Sequence, residues 1–222
     1  LSDEHEGIIE VDDRFEIGTP MAEVFGLNDP VIDIDLTPNR VDCAGVRGIA
    51  RDLSAAGLGT LKELEVPKIN TYGPSETGVT IKDIDGCPLF LGRTIIGVKN
   101  GPSPECLQRL LKAVGLRPIS ALVDITNLMT LEHCRPLHVY DVAKLKGDIS
   151  VQETKDGFEL EALDDKTYII PAGAVGIFDE SGQIGLGGIV GGTSTGVDEG
   201  TTDIFLEAAY FNPQRIAKTG RL

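Results

Sequence analysis

Between Asp148 and Phe211 the chain is a succession of short apolar runs: DISVQET, FELEAL, TYII, AVGIFD, QIGLGGIVGG and DIFLEAAYF. Turn chemistry separates them, at Asp164-Asp165, Pro171-Ala172-Gly173 and Ser181-Gly182. Runs of this length, bounded by such residues, are strands rather than helices. Strands in series must bury their faces against one another or against helices, so this half of the chain is committed to sheets. LFLGRTIIGV, from Leu89, adds a strand before them. Two helices come in between. Leu107, Leu110, Leu111 and Val114 recur at helical spacing behind Ser103-Pro104, read as N-cap and first helical residue, with Gly115 as the C-terminal stop. A second helix is expected from Asp124 to about His133. Helices early and strands late indicate an α+β domain with a β-rich, sandwich-like remainder.

The N-terminal part reads differently. PVIDIDL alternates apolar and acidic residues, which predicts a strand with one wet face. After the turn residues Thr37-Pro38-Asn39, Val46, Ile49, Leu53 and Ala56 predict a helix over about Asp42–Ala56, closed by Gly57. Gly45 and Gly48 weaken that pattern. Residues 58–78 are rich in turn formers and read as a connector. The expected organisation is a small helix-and-strand part over residues 1–75 and a larger mixed domain over 76–222.

The net charge of −15 argues against binding nucleic acid along an extended basic surface. Residues 1–66 carry 15 acids and 5 bases, and residues 67–222 carry 20 and 15, so only the second part is near neutral. No run approaches the ~18 apolar residues of a membrane span. Cys43, Cys87, Cys106 and Cys134 lack C-x-x-C spacing, so reduced buried thiols are expected rather than disulfides or a structural zinc site. The chain starts at Leu1 and stops within a helix-like RIAKTGRL, which suggests a piece of a longer protein.

Several groups could carry chemistry. Leu116–Asp141 interleaves an apolar core pattern with Arg117, Asp124, Thr126, Asn127, His133, Arg135, His138 and Asp141. Buried polar groups must be hydrogen-bonded, so these form a structural network or a site. Glu207, inside FLEAAYF, is costly if buried unless paired or used; on a strand it faces either solvent or a polar pocket. Gly192-Thr-Ser-Thr-Gly196 matches G-x-S-x-G, but no helix pattern follows Ser194 and no histidine lies beyond His138, so a turn is the expected reading. The run IGLGGIVGGTSTG permits close backbone approach, either for packing or as the floor of a pocket.

The order and spacing of several short motifs resemble the β subunit of bacterial phenylalanyl-tRNA synthetase. They are L-T-P-N-R-x-D-C with G-x-A-R-D-L over residues 36–53, C-P-x-x-x-G-R at 87–93, S-P-x-x-x-x-R-L at 103–110 and G-x-R-P-I at 115–119. V-D-I-T-N at 123–127, P-L-H-x-x-D at 136–141, G-G-I-x-G-G at 187–192 and L-E-A-A-x-F-x-P at 206–213 complete the set. The resemblance implies a piece of a much larger cytoplasmic subunit, holding part of a small domain and most of an aminoacyl-tRNA editing domain.

It further implies an (αβ)₂ heterotetramer with the α subunit as partner, the acceptor end of tRNA-Phe as substrate, and hydrolysis of mischarged tyrosyl-tRNA-Phe. ATP and magnesium would serve the full synthetase, with no cofactor in this chain. By the same resemblance Glu207 would read the tyrosine hydroxyl. His138 would lie near the scissile ester, Arg117 beside the nucleotide end, and Gly191 and Gly192 along the pocket. Leu128 stands where the family has tyrosine, and Cys134-Arg135 where it has Gly-Gln. A Thr-Asp-Ala element of the family's pocket would fall beyond Leu222, so residues 1–222 alone are expected to edit poorly. The competing expectation is a non-catalytic scaffold contacting tRNA or the other subunit.

Overall fold

The strand series forms as the turn signals dictate. The computed structural model describes residues 7–155 and 157–221; residues 1–6 of the expected N-terminal part and Leu222 lie outside them. Five strands pair in the order β1 (Val79–Ile81), β4 (Ile149–Glu153), β7 (Val175–Asp179), β8 (Gly182–Leu186) and β9 (Val190–Gly191). Only the β1–β4 pair is parallel. A second, antiparallel sheet sets β10 (Ile204–Tyr210) between β2 (Leu89–Ile95) and β3 (His138–Asp141). β5 (Phe158–Glu161) and β6 (Thr167–Ile170) form a separate hairpin. Asp165 at its turn has φ 62°, a left-handed conformation that aspartate tolerates better than most residues.

The main core is shared between the two larger sheets, which gives the sandwich-like character expected. Phe90, Tyr140 and Phe205 from the three-stranded sheet pack with Ile149, Val151, Val175, Ile177 and Ile184 from the five-stranded one. Alternation then sends Ile204 and Leu206 to the opposite face of β10, where they meet Val139 and Leu122 of α4 (Ala121–His133). Strand β10 is therefore covered on both sides, by a sheet and by a helix.

Helix α3 (Glu105–Ala113) begins one residue later than the Ser-Pro signal implies, with Pro104 in the capping position and Gly115 in the left-handed conformation beyond its end. Ser103 does not cap it. Its hydroxyl instead donates to the buried carboxylate of Asp124, whose other oxygen accepts from Ile119 N–H at 2.9 Å. Helix α4 begins three residues before the expected Asp124, so Asp124 lies inside it and ties the loop entering α4 to the segment that precedes α3. The helix ends at Cys134, which adopts φ 53°.

The N-terminal part departs most from expectation. PVIDIDL has no strand, because alternation gives a strand only when a neighbouring edge takes up its hydrogen bonds, and no described segment pairs with it. This part holds a one-turn helix, α1 (Met21–Val24), a 3₁₀ turn over Val41–Cys43, and α2 (Val46–Ala55) in place of the single helix expected over 42–56. α2 packs on the end of α4 at Gly45, where a Cβ would stand 2.7 Å from the backbone nitrogen of Cys134. Arg40 and Arg51 bond Asp42 and Asp52 around the buried thiol of Cys43. The Arg40 hydrogen bonds pull the Asp42 carboxyl down to about 2. Asp42, Cys43 and Asp52 form the one metal-ligand-like cluster among the described residues, and two guanidinium groups already occupy it. The four cysteines are unpaired; Cys43 and Cys87 are buried as expected, whereas Cys106 is exposed. Among the described residues no helix is long and apolar enough to cross a membrane.

Candidate functional site

Alternation along two paired strands builds the site. His138 and Tyr140 on β3, and Phe205, Glu207 and Ala209 on β10, project from the same face of the three-stranded sheet. Glu207 lies directly opposite His138 in the ladder, and Phe205 opposite Tyr140. A cavity of about 240 Å³ opens between this face and the glycine-rich segment of β8 and β9. His138, Tyr140 and Glu207 supply its polar groups. Ile177, Leu186, Val190, Ala209 and Phe211 supply its apolar wall, and Gly185, Gly187, Gly188 and Gly191 its floor. A larger, more open groove of about 430 Å³ lies beside Gln152, Glu153, Lys155 and Phe178, but its charged residues are surface-exposed and solvated.

Burial perturbs every ionisable group in the smaller cavity. Glu207 is 7% exposed, and desolvation raises its carboxyl to about 7 against the opposing effect of one hydrogen bond from Tyr140. That bond, Tyr140 O–H to Glu207 Oε2, is 2.5 Å long. Burial, and then the charge of Glu207, push Tyr140 well above its usual range, so it stays a donor at neutral pH. Desolvation lowers His138 to about 4, so its imidazole is neutral at pH 7. His138 Nε2 is shielded from solvent and has no hydrogen-bond partner among the described residues. A buried nitrogen left in this way is destabilising by ~1–3 kcal/mol, and this one lines the cavity.

The glycine run both lines the cavity and lets neighbouring side chains pack against bare backbone. A Cβ on Gly191 would strike the His138 ring, with Nε2 at 2.7 Å. One on Gly187 would stand 2.8 Å from the Phe211 ring. Gly192 lies beyond the cavity, where it bridges to Ala162 and packs on the Ile184 carbonyl. Arg117 stands on the exposed loop between α3 and α4, outside the cavity lining. Of the five expected site residues, His138, Glu207 and Gly191 thus come together, and Arg117 and Gly192 do not join them. Ser194 is exposed on a 3₁₀ turn over Thr193–Thr195, away from the cavity. Tyr140 is the residue that motif reading missed. Its place two residues from His138 puts it on the same strand face, which was the available signal.

A pre-formed, mainly apolar cleft between two sheets, with one carboxylate and one neutral imidazole converging on it, has the make-up of a small-ligand site in an α+β domain. Residues 86–222 match the B3/4 domain family, and the chain belongs to that family. The resemblance carried by the motifs holds over the whole chain. It is 52% identical over 225 residues to the phenylalanine–tRNA ligase beta subunit of Paramagnetospirillum magneticum and 50% over 224 residues to that of Brucella suis. All of this chain is covered in both, but it spans only 28% of each relative's length. Among solved structures, an N-terminal fragment of the phenylalanyl-tRNA synthetase beta-subunit from Pyrococcus horikoshii matches with a TM-score of 0.49 and 14% identity, covering 80% of this chain and 54% of that one.

Proposed function

We propose that the cavity between β3, β8–β9 and β10 is an editing site that hydrolyses the aminoacyl ester of tyrosyl-tRNA-Phe, within a synthetase that attaches phenylalanine to tRNA-Phe. The observation that carries this reading is Glu207, a buried carboxylate in a mainly apolar cleft with only one of its oxygens engaged among the described residues. Tyrosine differs from phenylalanine by one hydroxyl. An apolar pocket rejects an added hydroxyl poorly, whereas a buried acceptor left unpaired by phenylalanine costs ~1–3 kcal/mol and so selects for tyrosine. Glu207 Oε1 has no hydrogen-bond partner among the described residues and is the acceptor for that hydroxyl.

The chemistry needs a water placed at an already labile ester. A side chain that titrates near 4 is a weak base at pH 7. His138 therefore positions the ester or the water through Nε2, and placement supplies most of the rate. Arg117, on the exposed loop between α3 and α4, would lie beside the nucleotide end of the tRNA. The α subunit would supply the aminoacylation site and, with it, the use of ATP and magnesium. The test is Glu207→Ala in the full αβ enzyme. Tyrosyl-tRNA-Phe should accumulate while phenylalanine charging is unchanged; equal misacylation in variant and wild type would overturn the reading.

A scaffold role fits the N-terminal part. Ile8, Ile17, Val31, Ile32, Leu58, Val66 and Tyr72 are each at least 60% exposed, apolar surface that a contact with the other subunit would cover.

A further inference from the structure

We infer that Tyr140 is the positioning residue behind selectivity at this site: its hydroxyl holds one oxygen of the Glu207 carboxylate, so that the other faces the cavity as an acceptor alone. The inference rests on the editing reading above and assigns the part of the pocket that keeps Glu207 in its working form.

The geometry leaves Tyr140 little freedom. It is 1% exposed, and its ring lies edge-on to His138 at 4.5 Å between centroids and beside Phe205 at 6.4 Å. Its hydroxyl has one hydrogen, and that hydrogen is committed to Glu207 Oε2. Other groups near Glu207 offer it no comparable help. On β3 the only other titratable neighbour is His138, which burial keeps neutral at pH 7. Cys87, just before β2, is a thiol that burial pushes up to about 11. The five-stranded sheet contributes Ile177, Gly185 and Leu186 to the cavity, none of which titrates. The Tyr140 hydrogen bond is thus the one contact among the described residues that favours the carboxylate over the neutral acid.

This matters because the two forms of Glu207 recognise different things. A carboxylate only accepts, so a phenolic hydroxyl satisfies it and a bare phenyl ring does not. A protonated carboxyl both donates and accepts, and it can turn to satisfy itself elsewhere in the cleft, so the difference between the two rings shrinks.

The test is Tyr140→Phe in the full-length αβ enzyme, with Glu207→Gln and the double variant alongside. At pH 7 the ratio of kcat/KM for tyrosyl- over phenylalanyl-tRNA-Phe hydrolysis should fall about tenfold in Tyr140→Phe, the factor carried by one hydrogen bond to a charged group. The loss should sit mainly in KM, and it should recover as pH rises and the carboxylate re-forms. In the Glu207→Gln background, where there is no carboxylate to keep ionised, Tyr140→Phe should change the ratio far less and with no dependence on pH. A loss in kcat that is indifferent to pH, or one of equal size in both backgrounds, would mean a merely structural role and overturn the inference. The Glu207 titration midpoint, followed by carboxyl ¹³C resonance, gives a readout independent of turnover. It should rise in Tyr140→Phe, and an unmoved midpoint overturns the inference even if wild type hydrolyses no tyrosyl ester. That absence of hydrolysis would separately sink the editing reading.

Discussion

Replacing Glu207 by glutamine should make the chain more stable, and by an amount that depends on pH. Burial raises the Glu207 carboxyl from 4.5 to about 7 in the folded state. A carboxyl raised in this way contributes stability that is fully present below 4.5 and is lost as pH rises through about 7. At 1.36 kcal/mol per pH unit, the charged form costs about 3 kcal/mol above neutrality. Glutamine has the same shape, keeps an acceptor for the Tyr140 hydroxyl and does not titrate. The stability gap between Glu207→Gln and wild type should therefore widen by about 2.5 kcal/mol between pH 5 and pH 8. For a chain of this length that corresponds to roughly 10 °C in Tm. Wild type alone shows little of this, because His138 opposes it. His138 is lowered from 6.5 to about 4, so its contribution is present above 6.5 and is lost as pH falls toward 4. Urea midpoints of both proteins at pH 5, 6, 7 and 8, converted with a common m-value, measure the gap directly. A gap that is constant with pH, or one that narrows as pH rises, would refute the burial argument and with it the assignment of Glu207 to a desolvated pocket.

Two further outcomes test other parts of the structure. Cys134 ends α4 at φ 53°, a conformation that strains an L-residue but not glycine. Cys134→Gly should stabilise by about 0.5–1 kcal/mol after the extra freedom of glycine in the unfolded chain is set against the relief. Equal or lower stability in thermal unfolding would show that the Cys134 Sγ contact to Val41 O, at 3.2 Å, outweighs the strain. Gly191→Ala places a methyl against the His138 ring. It should destabilise by about 1–3 kcal/mol through overpacking and weaken tyrosine binding to the full enzyme at least tenfold in titration calorimetry. Binding as tight as wild type would mean that His138 does not form the pocket wall.

Local pattern was enough for the β-rich half. Apolar runs and turn residues are properties of a few neighbouring side chains, so β4 to β10 and their turns follow from the sequence. PVIDIDL has equally good alternation and forms no strand, because pairing depends on a partner that alternation does not specify. Helix ends moved by a few residues for a related reason. Ser103 is a good capping residue in isolation, but the buried Asp124 is a stronger claim on its hydroxyl.

The sequence by itself determined the α+β class, the strand series and the family resemblance. Through that resemblance it also singled out His138, Glu207 and Gly191. It left open whether Glu207 faces water or a pocket, since alternation says only that one face differs from the other. The tertiary structure decided this, by laying the five-stranded sheet over that face and so burying the carboxylate. It also decided what holds Glu207 there. Tyr140 is 67 residues away along the chain, and only the antiparallel pairing of β3 with β10 brings its hydroxyl to the carboxylate. Burial and cross-strand contact are properties of register and layer packing, and no local window of residues contains them.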